Sequence, residues 1–323
     1  MRRELAAAAL AVGIPAAAQQ AHAQAFPSKP VRIIVPFAPG GSTDIVARLI
    51  ARGLGEAWRQ QVLVENRPGA GGTIGVDHVA KSPPDGHALI FGHVGTFGFG
   101  PSLYSKLPYD AVKDFAPIGL FTAVPNMLAV HPSLPARSVK ELVALARARP
   151  GALNYASAGN GSASHLAVEY FKLLTGTDIV AISYRGTGPM LVDMLAGHTV
   201  LTITGVPPLA PYVASGRLRA IAVGSTSRLA RYPDLPTVAE SGYPEYEVTT
   251  WYGLLAPAKT PRETILQINS ELSKMLARPD VRETLAQQAA EPMGSTPEAF
   301  GAHIQREIVR WARVIKAAGV PIE

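Results

Sequence analysis

The chain has 323 residues, 47% of them hydrophobic and 17% charged, a composition that supports substantial cores and excludes a disordered polymer. It contains no cysteine, which excludes disulfides, thiolate metal sites and cysteine nucleophiles together. The formal charge is +6, but no run of basic residues marks a nucleic-acid face, so no nucleic-acid partner is expected; the diffuse positive balance suits a small anionic ligand.

Residues 1–25 read as a secretory signal peptide. Arg2 and Arg3 supply the positive start, Leu5 to Val12 the apolar segment, and Ala21 to Ala25 a small-residue cleavage site. The apolar run is shorter than the ~20 residues a bilayer span needs. Cleavage there leaves 28 basic and 23 acidic residues, a formal +5. No later segment has 18 consecutive apolar residues, so the mature protein is expected to be soluble, periplasmic and monomeric.

From Phe26 onward, short apolar runs alternate with amphipathic ones. Strands are predicted at Val31–Phe37, Val62–Glu65, Ala88–His93, Ala116–Phe121, Met127–His131, Leu153–Ser157, Ile179–Tyr184, Val200–Thr204 and Leu218–Gly224. Several are continuous Val/Ile/Leu runs, as in parallel strands buried on both faces. Helical stripes lie between them: Ile45, Val46, Leu49, Ile50, Leu54 and Trp58; then Leu166, Val168, Phe171 and Leu174; then Met190, Leu191, Met194 and Leu195. Such alternation predicts an α/β fold with mostly parallel sheets. Two extended, Pro-bounded segments, 125–135 and 247–261, read as crossings between two lobes. Each is followed by a helix start, with cap signals at Ser138 and at Thr260 before Pro261. The lobes are then 26–125 with 250–323, and 126–249. A last helix, Pro297–Ala318, is expected to return to the first lobe.

Two strand–glycine–helix turns carry the functional signal. In VPFAPGGSTD (35–44), Gly40 and Gly41 permit close backbone approach. The first amides of the helix and the hydroxyls of Ser42 and Thr43 then face the space above the strand end, an arrangement that binds anions. LNYASAGNGSASH (153–165) repeats the arrangement with Gly159, Gly161, Ser162 and Ser164. Its spacing fails the dinucleotide fingerprint, because Ser164 stands where a third glycine belongs. Facing each other, the two turns would clamp a carboxylate. Thr96 after Gly95, and Arg185 in ISYRGTGP, are further candidates. Catalytic patterns are absent: there is no GxSxG elbow, the histidines lack metal spacing, and His165 has no evident carboxylate partner. No cofactor and no metal are called for.

The segments FPSKPVRIIVPFAPGGSTDIVARLIARGL, VLVENRPGAGGTIG, VAKSPPDGHALIFGHVGT, LNYASAGNGSASHLAVEYFK and WYGLLAPAKTP resemble the Bug-type receptors of tripartite tricarboxylate transporters, and the likeness covers residues 26–323. The resemblance implies a two-lobed periplasmic binding protein fold (type II) with two crossing strands and a ligand in the cleft. Partners would be a small carboxylate and either membrane permease subunits or a sensor kinase. By that resemblance Pro39, Gly40, Gly41, Ser42, Thr43 and Asp44 bind ligand, as do Gly95, Thr96, and Ala158, Gly159, Gly161, Ser162, Ser164 and His165. Departures from the family pattern add His93, Arg185 and Thr204. AISYRG stands where HVPYKG is frequent, and TVLTITG (199–205) where VDLMFDN is frequent. Loss of those acids argues against an amino-acid ligand. His93, Phe97, Phe99 and Trp251 could enrich the cleft in rings and favour an aromatic carboxylate; the alternative is that Phe97 and Phe99 are core residues of the first lobe. An enzyme on the same scaffold would need a positioned acid, base or nucleophile.

Overall fold

The computed structural model describes residues 26–320; the signal peptide expected at 1–25 lies outside them. Ten strands form a continuous curled sheet in the order β2-β1-β3-β9-β4-β7-β5-β6, with β8 and β10 pairing β4 off that path. The strands are β1 Val31–Val35, β2 Val62–Asn66, β3 Ala88–His93, β4 Phe115–Val130, β5 Asn154–Ser157, β6 Val180–Ser183, β7 Leu201–Gly205, β8 Arg219–Val223, β9 Thr249–Pro257 and β10 Glu291–Pro292. The two strands expected at Ala116–Phe121 and Met127–His131 are therefore one. Pro125 does not interrupt β4, because its register partner Thr249 lies at the end of β9, where the antiparallel ladder runs out.

Between named strands, parallel pairing is confined to the strand–helix–strand units: β1 with β2 and β3, and β5 with β6 and β7. Every pair made by β4 or β9 is antiparallel, so the expected parallel majority stops at the two long strands. The first half of β4 pairs β9 among β1–β3, and its second half pairs β7 and β8. Strand β4 thus carries the sheet from one lobe into the other, and the chain entering β9 also meets the second lobe, where the Val248 amide donates to the Gly224 carbonyl at 2.8 Å.

The helices are α1 Ser42–Trp58, α2 Thr73–Ala80, α3 Gly100–Leu103, α4 Val139–Ala148, α5 Ala163–Thr175, α6 Thr187–Leu195, α7 Val206–Ala214, α8 Arg262–Ala277, α9 Pro279–Gln287 and α10 Pro297–Ala318. The amphipathic stripe of α1 buries Val46, Ala47, Ile50 and Leu54 against β1 and β3 residues Ile33 and Leu89. Ser138 caps α4 by accepting from the Glu141 amide at 3.2 Å. Thr260 caps nothing: Pro261 is extended at ψ 135°, so α8 starts one residue later and the Thr260 hydroxyl is buried without a partner. Helix α10 docks on the first lobe through Trp311, whose ring meets Phe99 edge-on at 4.4 Å. It also touches the second lobe, where Tyr170 of α5 contacts the same indole. Glu307 fixes the helix, because its Oε2 accepts from the Trp251 and Trp311 indoles, both at 3.0 Å. Two charge-assisted bonds meet the need of a buried carboxylate for partners.

Candidate functional site

Four helices begin at one space between the lobes. Its wall comprises Gly41, Ser42 and Thr43 at the start of α1, Ser162 to Ser164 at the start of α5, Thr187 at the start of α6 and Gly205 before α7. Phe37, His93, Ala158, Thr204, Thr250 and Tyr252 complete it. The N-caps of α1, α6 and α7 are Gly41, Gly186 and Gly205, and none offers a side chain to its first-turn amides. Each such helix start carries roughly half a positive charge, and the amides have no intrahelical acceptor. The cavity is therefore electropositive without a cationic side chain in its wall.

Two buried side chains in the wall are also short of a partner. Gly95 donates its amide to His93 Nδ1 at 2.8 Å, which places the imidazole proton on Nε2, and Nε2 has no hydrogen-bond partner. Burial pulls the His93 pKa down to about 3, so the ring is a neutral donor. Ser42 Oγ is the second orphan. Burial pushes the Tyr252 phenol up, while the neighbouring Thr43 and Ser42 hydroxyls act against that rise. A buried polar atom without a partner calls for a ligand or a water.

The other expected site residues have different tasks. Burial alone would raise the Asp44 carboxyl, but hydrogen bonds from Arg48, Asn66 and the Gly40 amide outweigh it and hold the group below the usual range. Those bonds fix the turn and occupy the carboxylate, so Asp44 does not line the cavity. Pro39 and Gly40 form the outer face of that turn. Gly95 and Thr96 lie in a wide helical turn, Gly95–Phe99, where the Thr96 hydroxyl approaches the His93 carbonyl at 3.4 Å and its own carbonyl accepts from Tyr109. Ser162 Oγ accepts from the His165 amide as the cap of α5. Ser164 accepts from the Ala158 amide at 2.8 Å, and His165 Nδ1 accepts from Gly161 at 3.2 Å. Both hold the 158–165 loop in shape. Gly159 and Arg185 line a second, outer chamber that shares Phe37 and Ala158 with the inner one.

The aromatic expectation needs correcting. Phe97 and Phe99 are fully buried core residues, carried inward by the turn after His93 to pack on Phe115 and Trp311. Trp251 points to α10, and its strand neighbour Tyr252 takes the cleft side because successive side chains alternate. Phe37, His93 and Tyr252 supply the cleft's rings, with Phe37 and His93 at 4.8 Å between centroids. Sequence reasoning did not assign Phe37, Thr187, Gly205, Thr250 and Tyr252 to the site. Thr187 had a signal in the Gly-Thr-Gly-Pro helix start, and Gly205 in the prolines at 207 and 208; the strand residues Thr250 and Tyr252 had none.

The lobes are closed on each other through glycine. A Cβ on Gly41 would stand 3.0 Å from Thr187 Oγ1, one on Gly188 2.9 Å from the Pro39 carbonyl, and one on Gly186 2.7 Å from the Ala38 Cβ. The β1–α1 turn and the start of α6 therefore meet backbone to backbone. Among the described residues no group of acidic and histidine side chains is placed to hold a metal ion, and no helix is long and apolar enough to cross a membrane.

Residues 46–320 match the family model described as "Tripartite tricarboxylate transporter family receptor". BugT of Bordetella pertussis is 38% identical over 324 residues, covering 100% of this chain and 99% of that protein. The R. palustris protein Rpa4515, solved with adipate, superposes with a TM-score of 0.89 at 39% identity over 91% of this chain and 98% of its own. MatC from Rhodopseudomonas palustris, solved with malate, gives 0.86 at 35% over 90% and 100%. With these matches, a two-lobed architecture and the motifs quoted above, the chain belongs to the Bug-type receptors of the tripartite tricarboxylate transporter family.

Proposed function

We infer that this protein is a periplasmic receptor that closes its two lobes, 26–125 with 250–323 and 126–249, on a small carboxylate and presents it to membrane permease subunits. It acts without chemistry on the ligand. The observation that carries this reading is the convergence of four helix N-termini on one interlobe cavity, three of them without a side-chain cap. An anion between them meets preorganised dipoles that need no reorganisation on binding. The only titratable side chains in that wall are His93 and Tyr252, both neutral through burial, which supports binding over acid–base catalysis. Similar proteins solved with adipate and malate support the choice of a carboxylate.

Gly41, Ser42, Thr43, His93, Ala158, Ser162, Ser164 and Thr204 are assigned to the ligand wall, with Thr187, Thr250 and Tyr252 added. The wall has no carboxylate, so an ammonium group would be buried without a counter-charge. Calorimetry on refolded, ligand-free protein tests the reading. Succinate should bind more tightly than aspartate, and a ligand at 100 times its Kd should raise apparent stability by about 2.7 kcal/mol. Tighter binding of aspartate, or no binding by any carboxylate, would overturn it.

A further inference from the structure

Apart from the ligand wall, the two lobes meet again around the outer chamber. The Pro68–Gly72 turn and Tyr104 come from the first lobe, and Ala158–Asn160 from the second. The Tyr104 hydroxyl donates across the gap to the Asn160 carbonyl at 3.2 Å.

Both ends of this bond are held in place. Helix α3 stops at Leu103, and Tyr104 turns extended at φ −109° and ψ 122° while its amide still donates to the Gly100 carbonyl at 3.2 Å. Opposite it, Gly159 at φ 122° and Gly161 at φ 70° put Asn160 at the tip of a tight turn, which the Ser162 amide closes on the Gly159 carbonyl at 3.0 Å. The Asn160 side chain is anchored as well, because Ser183 Oγ of β6 donates to its Oδ1 at 2.6 Å. Glycine supplies the room. A Cβ on Gly71 would run into the Tyr104 hydroxyl and the Asn160 carbonyl together, and one on Gly161 would stand 2.9 Å from that hydroxyl. Tyr104, Asn160 and Ser183 are all outside the wall of the inner cavity. Their bond therefore depends on how the lobes are set against each other.

We propose that Tyr104 is a latch: by bonding the Asn160 carbonyl it holds the lobes closed and sets the rate at which a bound ligand leaves. This rests on the reading of the chain as a receptor that closes, and adds a positioning residue that acts on closure through the facing lobe. A bond made only between closed lobes stabilises the closed state alone, so its loss speeds opening.

Stopped-flow tryptophan fluorescence on refolded protein tests the latch with two probes of different length, acetate and succinate. Tyr104→Phe should raise koff about fivefold for both, with kon and the ligand-free melting temperature unchanged. Ser183→Ala should raise koff by a smaller factor, and should add nothing on top of Tyr104→Phe, because both act on one bond. An unchanged koff in Tyr104→Phe, an effect on succinate alone, or independent effects of the two substitutions overturns the latch while the receptor reading stands. Failure of the unmodified protein to bind either acid overturns the receptor reading, and the latch with it.

Discussion

The amide of Gly95 donates to Nδ1 of His93 at 2.8 Å, and that single bond decides what the histidine is for. It fixes the tautomer, so Nε2 carries the proton in a wall where the other polar groups also have protons to offer. With its pKa near 3, the ring stays a donor through the physiological range. His93→Ala should weaken carboxylate binding about tenfold by removing this donor, measured by calorimetry at pH 7.

The same burial makes His93 a source of acid instability. Its folded pKa lies below its unfolded value of 6.5, so between pH 6.5 and about 3 the unfolded chain binds the extra proton. Stability therefore falls as pH falls through that window, by up to about 1.4 kcal/mol per pH unit from this one group. His93→Gln removes this contribution. Urea midpoints of the two proteins at pH 7, 6, 5 and 4 should converge as the pH drops; parallel curves would refute the assignment.

Ser42 and Ser162 should respond differently to alanine. Ser162 Oγ caps α5, so Ser162→Ala should cost about 1 kcal/mol of stability as well as affinity. Ser42 Oγ caps nothing and has no partner, so Ser42→Ala should leave the ligand-free melting temperature unchanged and lower affinity several-fold. Thermal melts with and without succinate separate the two effects.

Gly188→Ala is a probe of closure. Gly188 lies in the first turn of α6 at an ordinary helical position, where alanine favours the helix, yet the added Cβ meets the Pro39 carbonyl of the facing lobe at 2.9 Å. The variant should be as stable as the parent without ligand and should bind at least tenfold more weakly. Small-angle scattering with saturating ligand should report a larger radius than for the closed parent.

Asp44→Asn should disturb the β1–α1 turn rather than remove a ligand contact. The carboxylate receives Gly40, Arg48 and Asn66, and its pKa is held below 3.8. Its contribution is present above the unfolded value and lost as pH falls through the folded one. The substitution should cost about 2 kcal/mol at pH 7, seen in denaturant unfolding, and the gap should close below pH 4. Arg48→Gln should reproduce most of that loss.

Local chemistry made much of this protein legible from its residues alone. Strand β3 at Ala88–His93 and helix α10 at Pro297–Ala318 keep their expected bounds, because an apolar run between polar turns and a capped amphipathic stripe are both determined by near neighbours. The Gly-Ser turns at 40–43 and 159–164 announced two of the four helix starts for the same reason. Only the tertiary structure decided that the starts of α6 and α7 join them, because a helix N-terminus has no local mark of the partner it will face. It also decided that Tyr252 enters the cleft while Trp251 leaves it. Alternation allots the two side chains to opposite faces, but which face is which depends on where α10, dozens of residues away, packs against β9. The join of two predicted strands into β4 came from the same source: a ladder of partners on β9, β7 and β8, up to 142 residues distant, carries one strand from lobe to lobe.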